Sequence, residues 1–356
     1  MRTLRKVKIE GFKSIESAEL SLNDLNVVIG ANGSGKSNFI GVFRLLERVL
    51  SRNLQVYVAS EPDRLLHHGR KKTAALTLDF AFLHNSYGVK LKAAQDALIF
   101  EYEKVDYVGY WAYGEPIAVG HKESKLEEAA QSYHNKIPKH VFPKIRDLMV
   151  YHFHDTSDTS PAKQSCDLSD NRSFRSDAAN LPAYLYLLQE KHPTQFRHIE
   201  EHVRLVAPFF DRFLLEPSRL NNDKIKLEWR QNGSDAYFDA YSLSDGTIRF
   251  ICLATLLLQP TPPALILLDE PELGLHPFAI RILAEMIESI SKRAQVILAT
   301  QSVTLLNNFE PKDIIVANND GLKTTFDRPD EKKLKQWLDE FCIGELWEKN
   351  VLGGRP

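Results

Sequence analysis

The sequence predicts an α/β protein in which an antiparallel β lobe and a parallel α/β core are separated by a helical insert. Three observations lead to this prediction. An apolar run at Leu25–Gly30 opens a glycine-rich turn, strand patterns follow one another closely over residues 74–114, and strands alternate with helices beyond residue 216. Alternation of this kind is typical of a parallel sheet covered by helices, whereas closely spaced strands favour an antiparallel meander.

Composition limits the classes of protein to consider. The chain has 356 residues, of which 43% are hydrophobic, so it can bury a substantial core. Lysine and arginine total 45 against 47 acidic residues, so any nucleic-acid contact would need a local patch. Cys166, Cys252 and Cys342 lack CxxC spacing, which favours reduced thiols over disulfides or a zinc site. Without a long apolar run or a signal-peptide pattern, we expect a soluble cytoplasmic protein with no membrane contact.

The first predicted unit, residues 1–120, starts with strands and one helix. The patterns at Lys6–Phe12 and Ser17–Leu22 alternate, whereas Leu25–Gly30 is continuously apolar, as expected for a strand buried on both faces. A helix is predicted from Lys36, because apolar residues recur on one stripe after it. The meander that follows is predicted at Ala74–Leu83, Tyr87–Gln95 and Ala97–Gly114.

Three further units are predicted from changes in composition. Residues 121–215 form a mainly helical insert and lobe junction, in which two helices begin beside Pro182 and Pro193. Residues 216–325 alternate strand and helix as a parallel core does. Residues 326–356 predict an amphipathic helix and a short tail. The sequence shows neither an internal repeat nor a long heptad array.

Gly30–Ser37 match the pattern G-x-x-x-x-G-K-[ST] in full. The glycines let backbone N–H groups turn inward around a phosphate, with a helix N-terminus behind them. Lys36 is expected to reach the β- and γ-phosphate oxygens, and Ser37 to ligate Mg²⁺. An ordinary turn is disfavoured by the strand and helix on either side. The predicted nucleotide-binding residues of this segment are Gly30, Asn32, Gly33, Ser34, Gly35, Lys36, Ser37 and Asn38.

A second candidate site lies at the end of an apolar strand. Leu265–Leu268 lead into Asp269 and Glu270, so a buried strand delivers two carboxylates at its carboxyl end. Asp269 is suited to orient Mg²⁺ or its waters, and Glu270 to polarise an attacking water. Alone, such a pair is often a strand end with solvated charges. Following a phosphate-binding loop, it predicts a nucleotide triphosphatase.

The segment Leu243–Thr247, LSDGT, stands before an apolar helix. Ser244 and Gly246 would lie at the N-terminus of that helix and offer hydroxyl and N–H donors to an anion. Alone, Ser-Asp-Gly is an ordinary cap or turn. Its position about twenty residues before Asp269 predicts a functional role.

Together, GANGSGKSN, LSDGT, LDEPELGLHP and QVILATQS resemble the RecF/SMC-like branch of ABC-type ATPases, which includes the OLD-family ATPase domains. The segments IEGFKSIESAEL, VYHFHDTSDTSPAK and GELWEKNVLGGRP are similar to a group of bacterial RecF-like ATPases of about this size. The resemblance implies an ABC-type head of two lobes that binds ATP and Mg²⁺. It also implies a homodimer that sandwiches ATP, in which Ser244 and Gly246 contact the other subunit's nucleotide and Leu273–His276 cross to that subunit.

Two positions depart from the family pattern. Where related proteins commonly have a switch histidine, this chain has Gln301, which can position water but cannot accept a proton. Turnover is therefore predicted to be slow or dependent on a partner. No glutamine loop joining the lobes is evident. Val150–Asp158 is the candidate for that junction, with His154 and Asp155 as polar groups near the metal.

Three further sequence features each allow two interpretations. His152 and His154 have the i, i+2 spacing of a zinc pair, but no third ligand follows at suitable spacing. Lys13 either approaches the phosphates or ribose, as basic residues do in related heads, or lies in a surface turn. The basic patch His67–Lys72 either touches a nucleic-acid backbone or is a solvated loop, and the second is favoured.

The predicted function is an ATP-binding and hydrolysing dimer switch, with Lys36, Glu270 and Gln301 as its catalytic residues. One output would be DNA repair or maintenance, with DNA as partner. A second would be control of a separately encoded effector, such as a nuclease in antiphage defence. A transporter subunit is disfavoured, because the meander and the insert exceed a compact transporter head.

Overall fold

The computed structural model describes residues 4–107, 113–132, 136–146 and 148–354. The first strands are β1 (Lys6–Phe12), β2 (Ile15–Ser21), β3 (Leu25–Ile29), β4 (Ala75–Ala81), β5 (Asn85–Ala94), β6 (Ala97–Tyr107), β7 (Tyr113–Ala118), β8 (Met149–Tyr151) and β9 (Cys166–Asp167). The later strands are β10 (Phe210–Leu214), β11 (Pro217–Ser218), β12 (Asn221–Ile225), β13 (Glu228–Gln231), β14 (Tyr237–Asp239), β15 (Leu265–Asp269), β16 (Gln295–Thr300), β17 (Ile314–Asn319) and β18 (Thr324–Asp327).

The α-helices fall into three groups along the chain. Two lie in the first lobe, α1 (Lys36–Leu50) and α2 (Leu54–Val58). Four follow the antiparallel strands, α3 (Leu126–Gln131), α4 (Pro138–Arg146), α5 (Leu181–Lys191) and α6 (Pro193–Val206). The last five are α7 (Asp245–Leu258), α8 (Pro277–Ser291), α9 (Val303–Leu306), α10 (Glu331–Leu338) and α11 (Ile343–Glu348). No helix in the described part of the chain combines the length and apolar character needed to cross a bilayer.

The predicted meander forms most of an antiparallel sheet of six strands. Their order is β2-β1-β4-β5-β6-β7, and each strand pairs antiparallel with its neighbour. The strand predicted over Ala97–Gly114 is divided between β6 and β7, which pair with each other. The fold class predicted from the sequence is confirmed.

The second large sheet has the order β18-β17-β3-β16-β15-β8 and is parallel except for β18. Every residue of β3 and β16 is buried, as the continuous apolar runs predict. Adjacent residues of β3 pack on opposite faces of this sheet. Val28 joins the core formed with α1 and the antiparallel sheet, whereas Val27 and Ile29 join the core formed with α5 to α8. Helix α1 thus contributes to the core between the two large sheets.

Two small antiparallel sheets combine strands from the predicted insert with strands that precede α7. One has the order β11-β12-β9 and the other β10-β13-β14. Strand β14 leads through a short 3-10 turn, Ala240–Ser242, into Leu243 and α7. The predicted domain boundaries at residues 120, 215 and 325 stay predictions.

The C-terminal region differs from the single amphipathic helix predicted for it. Two helices form, because Cys342 has an extended backbone and its N–H bonds the Glu345 carboxylate at 2.8 Å, which starts a new helix. Trp347 in α11 is fully buried and donates its indole N–H to the Gly354 carbonyl at 2.6 Å. Gly354 packs so closely that a Cβ there would lie 2.6 Å from Val316 of β17. The tail therefore packs against the parallel sheet.

Candidate active site

The predicted site residues follow neighbouring strands of the parallel sheet. Strands β3, β16, β15 and β8 are adjacent, and their carboxyl ends meet at one edge because they run parallel. Gly30–Ser37 follow β3 and Gln301 follows β16. Asp269 ends β15 and His152 follows β8. Residues from four distant parts of the sequence are thus brought to one edge.

The glycine-rich loop depends on close backbone approach. Gly35 lies just before α1 with a φ of 103°, a conformation that favours glycine. A Cβ at Gly35 would overlap the side chain of Thr324, with Thr324 Cγ2 at 2.6 Å. Gly33 also has a positive φ, of 78°, but open space surrounds it. A side chain at Gly35 would therefore force the loop away from Thr324, whereas one at Gly33 would meet only backbone strain.

Lys36 is held inside the loop that precedes it. Its side chain is buried, and its ammonium donates to the carbonyls of Gly30 at 2.6 Å and Ala31 at 2.9 Å. Burial lowers the pKa of Lys36, while the charges of Glu270 and Asp269 raise it. The loop lines an open cavity together with groups from β15 and β16. We call the loop Gly30–Ser37 the P-loop and this cavity the P-loop cavity. The cavity is lined by Asn32, Gly33, Gly35, Lys36, Ser37, Asn38, Glu270 and Gln301.

Asp269 is paired with an arginine that sequence reasoning missed. The Arg44 guanidinium, from α1, donates to Asp269 Oδ2 at 2.9 Å and to His152 Nδ1 at 3.1 Å. Burial raises the pKa of Asp269, and Arg44 opposes that shift. Burial and then the Arg44 charge lower the pKa of His152 to about 4, so its ring is neutral at neutral pH. Arg44 thus ties α1 to the ends of β15 and β8.

Glu270 and Gln301 contact each other across neighbouring strand ends. The Gln301 side-chain amide donates to Glu270 Oε1. The Glu270 N–H donates to the Ala299 carbonyl at 2.8 Å, and Glu270 has a positive φ of 43°. Both side chains line the P-loop cavity. The chemistry available to Gln301 is therefore to orient the Glu270 carboxylate by a hydrogen bond.

The residues at this edge fit Mg²⁺. Asp269 Oδ1 is buried and has no hydrogen-bond partner, although Oδ2 of the same carboxylate is bonded to Arg44. An unpaired buried carboxylate oxygen is costly unless a ligand completes it. Ser37, which is exposed, offers a hydroxyl in the same region of the site. Carboxylate, hydroxyl and water oxygens are the ligands that Mg²⁺ prefers.

The LSDGT segment forms the N-terminus of α7. The Ser244 hydroxyl accepts from the Thr247 N–H at 3.2 Å and bonds the Thr247 hydroxyl at 2.8 Å, so it caps the helix. A Cβ on Gly246 would lie 2.6 Å from the carbonyl of Gly274 in the Leu273–His276 loop. In the described part of the chain, none of the LSDGT residues lines the P-loop cavity.

A second arginine missed by sequence reasoning fixes α7 to its surroundings. Arg249 is 5% exposed and donates to the carbonyls of Phe153 at 2.8 Å, His154 at 3.0 Å and Leu273. Burial lowers the pKa of its guanidinium. The sequence did contain an indication of this role. Arg249 is a charged residue in the apolar stretch IRFICLATLLL, and a buried arginine requires hydrogen-bond partners.

Of the two predicted junction residues, His154 lies next to Asp269 and Glu270, whereas Asp155 bonds its own loop. His154 lies against Asp269, Glu270 and Arg249, around a small cavity. Asp155 instead accepts from the Ser157 N–H at 3.0 Å and hydroxyl at 2.6 Å, which lowers the pKa of its carboxyl. Its role as a metal ligand stays a prediction.

The zinc alternative gains no support from the geometry of the two histidines. His152 Nδ1 is bonded to Arg44, and the ring centroids of His152 and His154 are 6.1 Å apart. No three His, Cys, Asp or Glu side chains gather as a metal cluster in the ranges that the structure describes.

Neither Lys13 nor the basic patch His67–Lys72 is among the residues that line the P-loop cavity. The Lys13 ammonium stands 5.5 Å from the Phe12 ring centroid, and burial lowers its pKa. Its carbonyl is bonded by His67 Nδ1 at 2.7 Å. In the patch, His67 is buried and Arg70 pairs with Asp63 at 2.8 Å, so the patch is partly neutralised. Nucleotide binding by Lys13 stays a prediction.

Comparison of the sequence with known protein families identifies the family of this chain. A model described as an AAA ATPase domain matches residues 3–201, and one described as AAA domain, putative AbiEii toxin, Type IV TA system matches residues 123–307. Each match covers more than half of the chain. The structural maintenance of chromosomes protein 3 of Arabidopsis thaliana is 41% identical over 69 residues, which are 18% of this chain and 6% of that protein. The matched part is thus a small fraction of that relative.

Solved structures share the fold over nearly the whole chain. The Smc head domain with an extended coiled coil from Pyrococcus furiosus, bound to the C-terminal domain of ScpA, is 15% identical. It has a TM-score of 0.61 over 95% of this chain and 98% of that one. An SmcHead bound to the C-winged helix domain of ScpA is also 15% identical, with a TM-score of 0.60 over 94% and 99%. The chain belongs to the AAA ATPase domain family, as an ATPase with the SMC/RecF-like ABC-type head fold.

Proposed function

We propose that this chain is an ATP-dependent dimer switch. Mg-ATP binds at the P-loop of each of two subunits, the LSDGT segment (Leu243–Thr247, the signature) of each subunit closes on the nucleotide of the other, and hydrolysis reopens the pair. One observation carries the proposal. Ser244 and Gly246 offer anion donors at the N-terminus of α7, yet the P-loop cavity of the same chain is lined by other residues. These donors can meet a nucleotide that a second copy holds.

Each residue of the site has a role in this proposal. Lys36 leaves the carbonyls of Gly30 and Ala31 to bind the β- and γ-phosphates. Ser37 and Asp269 hold Mg²⁺, which neutralises charge on the phosphate oxygens when it is bound. Glu270 polarises the attacking water, and Gln301 orients Glu270.

The pair of Glu270 and Gln301 supports a slow switch. A glutamine amide is neutral and accepts no proton, so the bond to Glu270 orients the carboxylate without relaying a proton. We therefore expect turnover to depend on closure of the dimer or on a partner, as in other nucleotide switches whose water-positioning group is a glutamine.

Glu270→Gln tests the switch. The variant retains the P-loop but lacks the carboxylate that polarises water, so Mg-ATP should trap it as a dimer, measured by multi-angle light scattering. The nucleotide-free variant is the control and should stay in its resting state. A Glu270→Gln variant whose molar mass is unchanged by Mg-ATP would rule out the proposal.

Ser244→Arg tests the trans site separately. The arginine would obstruct the α7 N-terminus, so turnover should fall by at least about tenfold while a fluorescent ATP analogue still binds the P-loop. Undiminished hydrolysis by this variant would show that the signature does not act on a second subunit's nucleotide.

For the output we propose DNA maintenance or antiphage defence, through DNA or through a separately encoded effector such as a nuclease. The Smc heads of similar fold were solved bound to domains of a partner protein, ScpA, which supports a protein partner here. Native purification with mass spectrometry would identify an effector. Stimulation of ATP hydrolysis by DNA, with a steep dependence on salt, would identify DNA instead.

A further inference from the structure

Lys163 ends the segment VYHFHDTSDTSPAK and has no role in the site described above. Its side chain is 5% exposed. Two carboxylates lie within 4 Å of its ammonium: Asp245 Oδ1 at 3.8 Å and Asp158 Oδ1 at 3.9 Å, and both of these side chains are exposed. The stem of the lysine is therefore buried while its charged end faces acidic groups near solvent.

Asp245 is the first residue of α7 and directly follows Ser244. A helix N-terminus attracts anions through its free N–H groups and dipole. A carboxylate at the same place repels them, and the Asp245 side chain is 69% exposed. At separations of about 4 Å, such a charge changes the affinity for an anion by roughly tenfold or more.

The loop that carries Lys163 is fixed by its own hydrogen bonds. The Ser160 hydroxyl donates to the Asp155 carbonyl at 2.7 Å, and the Lys163 N–H donates to the Ser160 carbonyl at 3.0 Å. The start of the same segment is bonded by Arg249 of α7 at Phe153 and His154. Lys163 and the N-terminus of α7 are therefore held in a fixed relation to each other.

We propose that Lys163 is a positioning residue that neutralises Asp245 and thereby keeps the α7 N-terminus able to receive the terminal phosphate of a nucleotide bound to a second subunit. This inference rests on the dimer switch proposed above. It gives a role to the acidic residue inside LSDGT, because Asp245 is tolerated at an anion-binding helix end only while a cation compensates it.

The experiment uses the full chain carrying Glu270→Gln as parent. Lys163→Met preserves the buried stem and removes the charge, so Mg-ATP should drive about tenfold less dimer by sedimentation velocity. Binding of a fluorescent ATP analogue to the monomer should be unchanged, since the P-loop is intact. Adding Asp245→Asn to Lys163→Met should restore dimerisation to within about twofold of the parent, and Lys163→Arg should retain it.

The matched control is Lys224→Met, which removes an exposed lysine that pairs with Asp167 at 2.9 Å. It should dimerise as the parent does. If Lys163→Met unfolds, Lys163→Gln replaces it, with the same loss and the same rescue expected. Normal dimerisation of the charge-removed variant, or failure of Asp245→Asn to rescue it, would overturn the inference alone. A parent that stays monomeric with Mg-ATP would overturn the dimer switch, and this inference with it.

Discussion

At the P-loop the functional groups are held by residues next to them in the chain, whereas at the signature they are held by a segment far away. Lys36 bonds the carbonyls of Gly30 and Ala31, six and five residues before it. Arg249, in contrast, places the signature helix by bonding Phe153, 96 residues away. The Lys36 ammonium is therefore positioned within its own loop, whereas the position of α7 depends on the distant segment Val150–Asp158.

The largest effect is expected from Gly35→Ala at the P-loop. A Cβ there overlaps Thr324, and the φ of 103° is strained for alanine, which together cost about 4 kcal/mol. Nucleotide affinity should fall by at least about a hundredfold, because the loop must shift to relieve the overlap. Isothermal titration calorimetry with Mg-ATP measures this loss.

Gly33→Ala is the matched control for Gly35→Ala. It has a positive φ of 78° in the same loop but meets no atom within 4 Å, so it carries the backbone strain without the overlap. Its loss of affinity should be at least tenfold smaller. Equal losses in the two variants would show that close packing on Thr324 does not shape the loop.

An intermediate effect is expected from Arg249→Met at the signature. Methionine fills the volume but leaves the carbonyls of Phe153, His154 and Leu273 without their donor, at a cost of about 3 kcal/mol. Hydrolysis should be lost while the monomer still binds ATP analogue, because only α7 and the Leu273–His276 loop are released. Urea unfolding and ATPase assays measure the two parts.

Arg44→Met is the counterpart of Arg249→Met, because Arg44 also bonds the segment Val150–Asp158, at His152. Arg44 is partly exposed and bonds the side chains of Asp269 and His152, so this variant should change stability less than Arg249→Met does. It should instead raise the Mg²⁺ concentration needed for half-maximal hydrolysis, since Asp269 loses its positioning partner. If Arg44→Met lowered stability more than Arg249→Met did, and Arg249→Met raised the Mg²⁺ requirement instead, the contrast between the two arginines would be contradicted.

The smallest effect concerns pH and His152. The pKa of His152 is about 4 in the folded chain, against about 6.5 for an unfolded histidine, so the unfolded state binds more protons between these values. Its contribution to stability is therefore full above pH 6.5 and is lost as pH falls towards 4. His152→Asn should reduce the rise in the free energy of unfolding between pH 4.5 and 6.5 by roughly 1 kcal/mol after solvent screening, which flattens the rise of the melting temperature over the same range.

His198→Asn controls for the loss of a histidine, since His198 is exposed on α6. Its melting temperature should follow the pH dependence of the unmodified chain. Identical pH profiles for the two variants would show that the bond from Arg44 does not keep His152 neutral.

Sequence patterns located the elements whose signals are local. Strand β3, the glycine-rich loop and α1 fall where the apolar run and the helical stripe predict them. The pair Asp269 and Glu270 ends β15 as predicted. The break that divides the predicted C-terminal helix into α10 and α11 was missed, because it depends on a cap by Glu345 at Cys342 that a smooth amphipathic pattern conceals.

The sequence by itself determined the main features of this site: a glycine-rich P-loop motif, two carboxylates after a buried strand, and a serine cap at the start of an apolar helix. These need only short-range patterns, since backbone geometry and burial follow from neighbouring residues. Only the tertiary structure decided which charges meet: Arg44 with Asp269, Arg249 with the junction carbonyls, and Lys163 with Asp245. A buried charge needs a partner at a few ångströms, and chain topology, which no local pattern encodes, selects that partner.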